Sequence, residues 1–227
     1  MSEWWTYRPS DFLMFSARSY YRLVERYNAD VSPLQMLAIA LGLGALGLAL
    51  RPRPQAGHRV VAAVLGGSWL WVAWAFHYRR FATINWAAEQ LAWAFALQGL
   101  ALLWVGVALG RLRFRYDPSR GGMVGVALIV FAVVGFPFVA VLAGQPWTHA
   151  EVAGVMPDPT AIATLGFLLL AWPTRSWLML IPVASCVFSG VTLLTMGAAA
   201  GWVPLLAAAP AVAVAWRTLR SGAAYDS

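Results

Sequence analysis

The chain has 227 residues, 61% hydrophobic and only 11% charged, with a mean hydropathy of +0.67. A soluble domain carries about 25% charged residues, so a protein that dissolves in water unaided is excluded. Arginine supplies every basic side chain behind the formal charge of +7. With no lysine, a retinal or pyridoxal Schiff base and a Walker-type phosphate site are excluded as well.

The opening "MSEWWTYRPSD" places aromatic and acidic residues where a cleavable leader needs a basic region and an apolar core, so no signal peptide is expected. Residues 11–29, "DFLMFSARSYYRLVERYNA", are too charged to span a bilayer. Leu13, Ala17, Tyr20, Val24 and Tyr27 recur at helical spacing, with Arg18, Arg22, Glu25 and Arg26 on another face. That pattern predicts an interfacial amphipathic helix starting near Asp11, serving as an anchor for the first span or as a lid over an outward cavity.

Seven apolar runs follow, at residues 33–50, 60–76, 91–110, 123–143, 160–172, 177–199 and 202–216. Only helices satisfy their backbone within so few residues of lipid. The expected fold is therefore all-α, a polytopic membrane helix bundle of seven transmembrane helices. It divides into an N-terminal tail (1–30), a membrane domain (31–217) and a short cytoplasmic tail (218–227). The connections "RPRPQAGHR", "RLRFRYDPSR" and "PTR" carry the Pro, Gly and charge that end helices. Cys186 lies inside an apolar run and, as the only Cys, cannot form an intramolecular disulfide.

Arginine placement orients the bundle. With the first span ending in the cytoplasm, Arg51, Arg53, Arg59, Arg111, Arg113, Arg115, Arg120, Arg175, Arg217 and Arg220 lie inside, against Arg79 and Arg80 outside. The tail arginines Arg8, Arg18, Arg22 and Arg26 are offset by Glu3, Asp11, Glu25 and Asp30, so the N-terminus can sit outside and the C-terminus inside. This topology accounts for the basic charge without nucleic acid. The fifth span is short: from Pro159 to Trp172 it rises about 21 Å against a core of about 30 Å, so it either crosses or re-enters. Asp158 reads as its cap and Pro159 as its first turn. Trp86, Trp93, Trp147 and Trp202 fall at outer span ends, and Trp104, Trp172, Trp177 and Trp216 toward inner ends, as aromatic belts do. Trp69, Trp71 and Trp74 lie deeper and read as packing residues.

Gly106/Gly110, Gly121/Gly125, Ser185/Ser189 and Gly197/Gly201 are small-residue pairs at a spacing of four, which predicts close helix approach. Pro137, Pro182 and Pro210 should kink their spans. The pieces "LGLALRPR" and "LGFLLLAWPTR" hint at a parallel repeat of spans 1–3 and 5–7.

Polar residues gather in "AFHYRRFATINWAAEQLAW", residues 75–93, between the second and third spans. Asn85 can cap the third span, and Glu89 suits its dipole. Arg79 and Arg80 need compensation from Glu89, Glu151, Asp158, lipid phosphate or an anion. Gln98 lies about two turns inside the third span and should face another helix. His77, Tyr78, Arg79, Arg80, Asn85, Glu89, Gln98 and His149 are therefore the expected ligand-binding residues of an outward vestibule. No catalytic residues, metal site or cofactor are expected: His-x-x-x-His, Cys-x-x-Cys and paired intramembrane carboxylates are all missing. An enzyme with its active site on the outer loops stays open as a minority reading.

The runs "YNADVSPLQMLAIALGLGALGLALRP" and "WLWVAWAFHYRRFATINWAAEQLAWAFALQGLALLW" resemble domain-of-unknown-function family 6064, bacterial multi-pass membrane proteins sometimes labelled permease. The likeness centres on Tyr27-Asn28, Pro33, Gln35, "HYRRF", Ile84-Asn85 and Gln98-Gly99. This chain has Ser32 and Trp86 where the family pattern has Trp and Pro. The resemblance implies a bacterial inner-membrane protein, and it brings no established site residues with it. Composition and resemblance together lead to an expected permease-like carrier of a small solute or anion in the lipid bilayer. The alternative is a non-transporting accessory or scaffold subunit that docks a periplasmic or membrane protein partner.

Overall fold

A computed structural model describes residues 15–51, 54–172 and 175–223. Asp11 and Leu13, part of the expected amphipathic helix, lie outside the described residues, as do Arg8 and Arg53. The helix itself, α1, runs Ala17–Val31 and opens on Ser16, whose side chain accepts from the Ser19 amide at 3.2 Å. Tyr20, Val24 and Tyr27 are buried, one per turn, while Arg18, Arg22 and Arg26 stay exposed. Pro33 lacks an amide donor and restricts Ser32, so the chain breaks there. The next helix, α2 (Leu34–Leu50), leaves at 83° to α1.

Helix α3 (Gln55–Trp71) widens into a π-helical stretch over Val72–Tyr78. Helix α4 (Ala88–Leu102) does the same over Leu103–Ala108, and α5 (Arg120–Val130) over Phe131–Gly135 before α6 (Pro137–Leu142). Then come α7 (Pro157–Leu169), α8 (Leu180–Thr195) and α9 (Trp202–Ala223). Two short strands, β1 (Arg113–Phe114) and β2 (Ala171–Trp172), pair antiparallel with Arg113 opposite Trp172. The fold is otherwise all-α among the described residues.

Four segments are long and apolar enough to cross a membrane: Gln55–Thr83, Ala88–Ala108, Ser176–Thr195 and Ala199–Arg217; the bent α1–α2 pair makes a fifth when taken as one span. The seven apolar runs all carry helix, but three of them fall short alone, and the first, α2 with 17 residues, qualifies only together with α1. In the fourth run Pro137 separates α5 from α6. In the fifth, α7 has 13 residues, and every side chain from Pro157 to Leu168 is buried. Packed among α3, α5, α8 and α9, α7 has no outward face to match to a bilayer. The surrounding helices instead turn large apolar groups outward, among them Leu97, Leu180 and Leu206 at 62%, 69% and 67% exposure. In water such a surface would drive aggregation; against acyl chains it costs nothing.

The ends of the helices sort into two groups. At one end Gln55 donates to the Gly110 carbonyl, the Phe114 amide donates to His58 Nδ1, and β2 joins the exit of α7 to β1. At the other end α1 closes over the entrance to α7. There Asn28 Nδ2 donates to the Thr148 and Ala150 carbonyls at 2.8 and 2.9 Å, and the Tyr27 hydroxyl donates to the Val155 carbonyl at 3.1 Å. Helix α7 therefore enters near α1 and leaves near β1.

Helices do approach closely at Gly106, Gly125 and Gly201, one member of each expected glycine pair, and at two of the three the facing residue is a glycine on another helix. A Cβ on Gly166 would sit 2.6 Å from the Gly125 carbonyl oxygen, and one on Gly125 would sit 2.8 Å from the Gly166 oxygen. Gly66/Gly99 and Gly190/Gly201 repeat this reciprocal approach, close enough for Cα–H···O contacts between backbones. Pro182 lies in the first turn of α8, where proline causes no kink, whereas Pro210 is inside α9. The cap of α7 is Met156 with Pro157 first, so Asp158 is not the cap, and its side chain has another task.

Candidate functional site

Residues 150–156, between the fourth and fifth apolar runs, fold inward. Val152, Ala153, Val155 and Met156 are buried, and Gly154 takes a φ of +87° beside Ser68 and Ala38. The irregular backbone is satisfied by neighbours. The Gly154 amide donates to Thr160 Oγ1 at 2.8 Å, and that hydroxyl donates to the Met156 carbonyl at 2.6 Å. One turn on, Thr164 Oγ1 donates to the Thr160 carbonyl and accepts from Trp69 Nε1, both at 2.8 Å. The result is an unwound strand leading into a short buried helix, a form tolerated at membrane depth only where protein covers it.

This inward fold brings two carboxyl groups together. Asp158 is 2% exposed; its Oδ2 accepts from Ser189 Oγ of α8 at 2.7 Å, and its Oδ1 has no partner. Glu151 Oε2 is likewise buried without a partner. Burial, and then the Asp158 carboxylate nearby, push the Glu151 carboxyl well above its ordinary value of 4.5. Two small cavities meet at Asp158. One, about 30 Å³, is lined by Tyr20, His77, Phe95, Asp158, Ser185 and Ser189. The other, also about 30 Å³, is lined by Tyr21, Gln145, His149, Glu151 and Asp158. Each has room for a water or a small cation and too little for a sugar.

His77 is 3% exposed, and neither ring nitrogen has a hydrogen-bond partner. Its ring packs on Phe95, with centroids 4.4 Å apart, and beside Phe76 and Phe81. The π-helical widening of α3 turns Ala75, Phe76 and His77 inward together, and such bulges recur at functional sites. His149 stacks on Tyr21 at 5.0 Å and 13°, with Nδ1 3.2 Å from Gln145 Oε1. Burial lowers its pKa, opposed by the charge of Glu25.

The other expected vestibule residues do not join this cluster. Tyr78 and Glu89 are exposed. Arg79 lies over the Trp74 ring at 5.5 Å, and Arg80 pairs with Asp30 at 2.8 Å. Asn85 Oδ1 accepts from the Ala87 amide, tightening the turn before α4. Gln98 donates to the Leu178 carbonyl at 2.9 Å, which ties α4 to the start of α8. Of the eight, then, the structure brings His77 and His149 to cavities that share Asp158. Sequence reasoning missed Glu151, Asp158, Ser185, Ser189 and Tyr20 as members. It found no paired intramembrane carboxylates because Glu151 and Asp158 flank an apparent loop. The available signal was that loop's content, "EVAGVMPDP": mostly small and apolar, hence able to enter a bundle. No group of three or more His, Cys, Asp or Glu side chains among the described residues is arranged to hold a metal ion.

Comparison with known proteins gives a family and no chemistry. A family model described as "Family of unknown function (DUF6064)" matches residues 17–224. No curated protein and no solved structure matches the chain.

Proposed function

The chain belongs to domain-of-unknown-function family 6064, and from that premise we propose a bacterial inner-membrane carrier that moves a proton, alone or with a small solute, through the Glu151–Asp158–His77 cluster. One observation carries the reading: Glu151 and Asp158 each hold a buried, unpartnered oxygen at cavities that meet. A lone ionised carboxylate in such surroundings costs several kcal/mol, so the pair favours a shared proton or a small cation. Ionisable groups at membrane depth belong to proton relays and ion paths more often than to packing. The interrupted entry to α7 matches the discontinuous helices of carriers. The solute class follows from charge: the acid pair favours a cation or proton at this depth, and an anion fits only the outer arginines.

Seven crossings, with the segment before α1 outside and the end of α9 in the cytoplasm, complete the proposal. The arginine bias supports that orientation. The entry of α7 near α1 and its exit at β1 support a crossing over a re-entrant loop. The test is proton flux into liposomes containing the purified full chain, driven by a potassium diffusion potential. Asp158→Asn and Glu151→Gln should each reduce flux to the protein-free level, while Arg79→Ala should leave it unchanged. Wild-type flux no greater than empty liposomes would sink the carrier reading. It would favour the accessory-subunit alternative, which the small cavities and exposed Trp86 and Trp93 also support.

A further inference from the structure

A second cleft, of about 410 Å³, lies on the opposite flank of α1 and takes no part in the acid cluster. Ser19, Arg22, Leu23, Arg26 and Asp30 of α1 line it, facing Arg80, Thr83 and Ile84 from the turn after α3. Three guanidinium groups thus share one opening with one carboxylate. Asp30 is already engaged with Arg80 at 2.8 Å, the only ion pair among the described residues. Arg80 is fixed further, over the Tyr27 ring at 5.8 Å. Arg22 and Arg26 are one turn apart on an exposed face, so their like charges repel, and the one carboxylate of the cleft, Asp30, is already paired with Arg80. Glu25, the nearest other acid on the helix, exerts its charge on His149 along the other flank.

Hydroxyl groups at the cleft divide in the same way. Thr83 Oγ1 donates to the Arg80 carbonyl at 2.7 Å and is committed. Ser19 Oγ lies 3.1 Å from Ser16 Oγ, so Ser19 can accept from Ser16 and donate into the cleft. Leu23 and Ile84 add apolar surface beside the charges. The orientation proposed above puts this end outside, where the arginine bias of membrane proteins gives no reason to collect cations.

We propose that this cleft binds a phosphate-type oxyanion, with Arg22 and Arg26 as its direct partners and Arg80 held ready beside them. Guanidinium groups match phosphate oxygens in geometry and are weakly hydrated, which suits an interfacial site. An anionic lipid headgroup and a soluble phosphate share this chemistry. The headgroup fits the apolar edge and the interfacial position of α1.

The test uses the full chain in nanodiscs of equal phosphatidylglycerol and phosphatidylcholine, read by native mass spectrometry of the lipids retained. Wild type should retain phosphatidylglycerol preferentially. The double variant Arg22→Gln/Arg26→Gln should lose that preference by about thirtyfold, given the attraction of two arginines near an anionic surface. Arg18→Gln, outside the cleft, should keep it. In a second arm, inorganic phosphate is added to detergent-solubilised protein. A rise in Tm for wild type but not for the double variant would identify a soluble oxyanion as the occupant and support the site equally. Equal lipid retention by wild type and double variant, with no phosphate-dependent Tm in either, overturns the proposal. That result would leave the acid cluster and its flux assay untouched, because the two sites share no residue.

Discussion

Gly166 offers the sharpest test of how the bundle is held together. Its Cα faces Gly125 across the contact between α5 and α7. A methyl group there would meet the Gly125 carbonyl oxygen at 2.6 Å, Ile129 Cγ1 at 2.7 Å and the Ile129 amide nitrogen at 3.0 Å. Two of the three obstructing atoms are backbone, so no rotamer change relieves them. Restoring an ordinary 3.4 Å contact moves the helices apart by about 0.8 Å. A gap of that size forfeits about a quarter to a half of each dispersion contact along the seam. Because α7 is buried on every side, the displaced helix also presses on α8 and α9. Overpacking of this kind costs about 1–3 kcal/mol, and the helix-propensity gain of alanine over glycine returns at most about 1 kcal/mol. With two of the three obstructing atoms in the backbone, the cost falls toward the upper end of that range, and Gly166→Ala should lose about 2 kcal/mol net. Gly44→Ala is the matched control: nothing lies within 4 Å of its added methyl group, so it should be neutral or slightly stabilising. Unfolding in mixed detergent–SDS micelles, followed by tryptophan fluorescence, measures both. Equal midpoints for the two variants would refute the reciprocal glycine packing.

Three further outcomes follow from the same geometry. The folded chain holds the Glu151 proton to higher pH than the unfolded chain does, so stability should fall as pH rises above about 4.5; Glu151→Gln should flatten that slope in a Tm series from pH 5 to pH 8. Gln98→Leu strands the Leu178 carbonyl and should cost about 1 kcal/mol in the micelle assay. Asp30→Asn removes the charge from a partly exposed ion pair and should cost no more than about 1 kcal/mol, with the loss shrinking as salt is added.

Much of this fold was legible in the sequence because lipid solubility is written in composition. Each apolar run carries helix, α1 has the expected amphipathic face, and the 33–50 run begins within one residue of α2. What escaped were features set by tertiary contact. The π-helical widening that turns His77 inward leaves no mark in hydrophobic periodicity. Spacing along one helix found Gly125 and Gly201 but not Gly166 and Gly190, which face them from other helices, nor the Gly66–Gly99 contact. The acid cluster was hidden because charge in a loop reads as solvated. Only the buried path of 150–156 shows that Glu151 and Asp158 are not. The arginines of "HYRRF" attracted attention as the strongest charges in sight. Their partners, Asp30 and the Trp74 ring, are close in space, and Asp30 is far from them in sequence.

Helix α7 has a consequence for how the molecule is made. With Asp158, Thr160 and Thr164 along it and two prolines in its first turn, it would gain little by partitioning into lipid alone during synthesis. Its hydrogen-bond partner Ser189 and its neighbours α8 and α9 are translated after it. The insertion machinery should therefore shelter this segment until α8 and α9 emerge. Chains truncated after residue 172 should be recognised as incomplete and degraded.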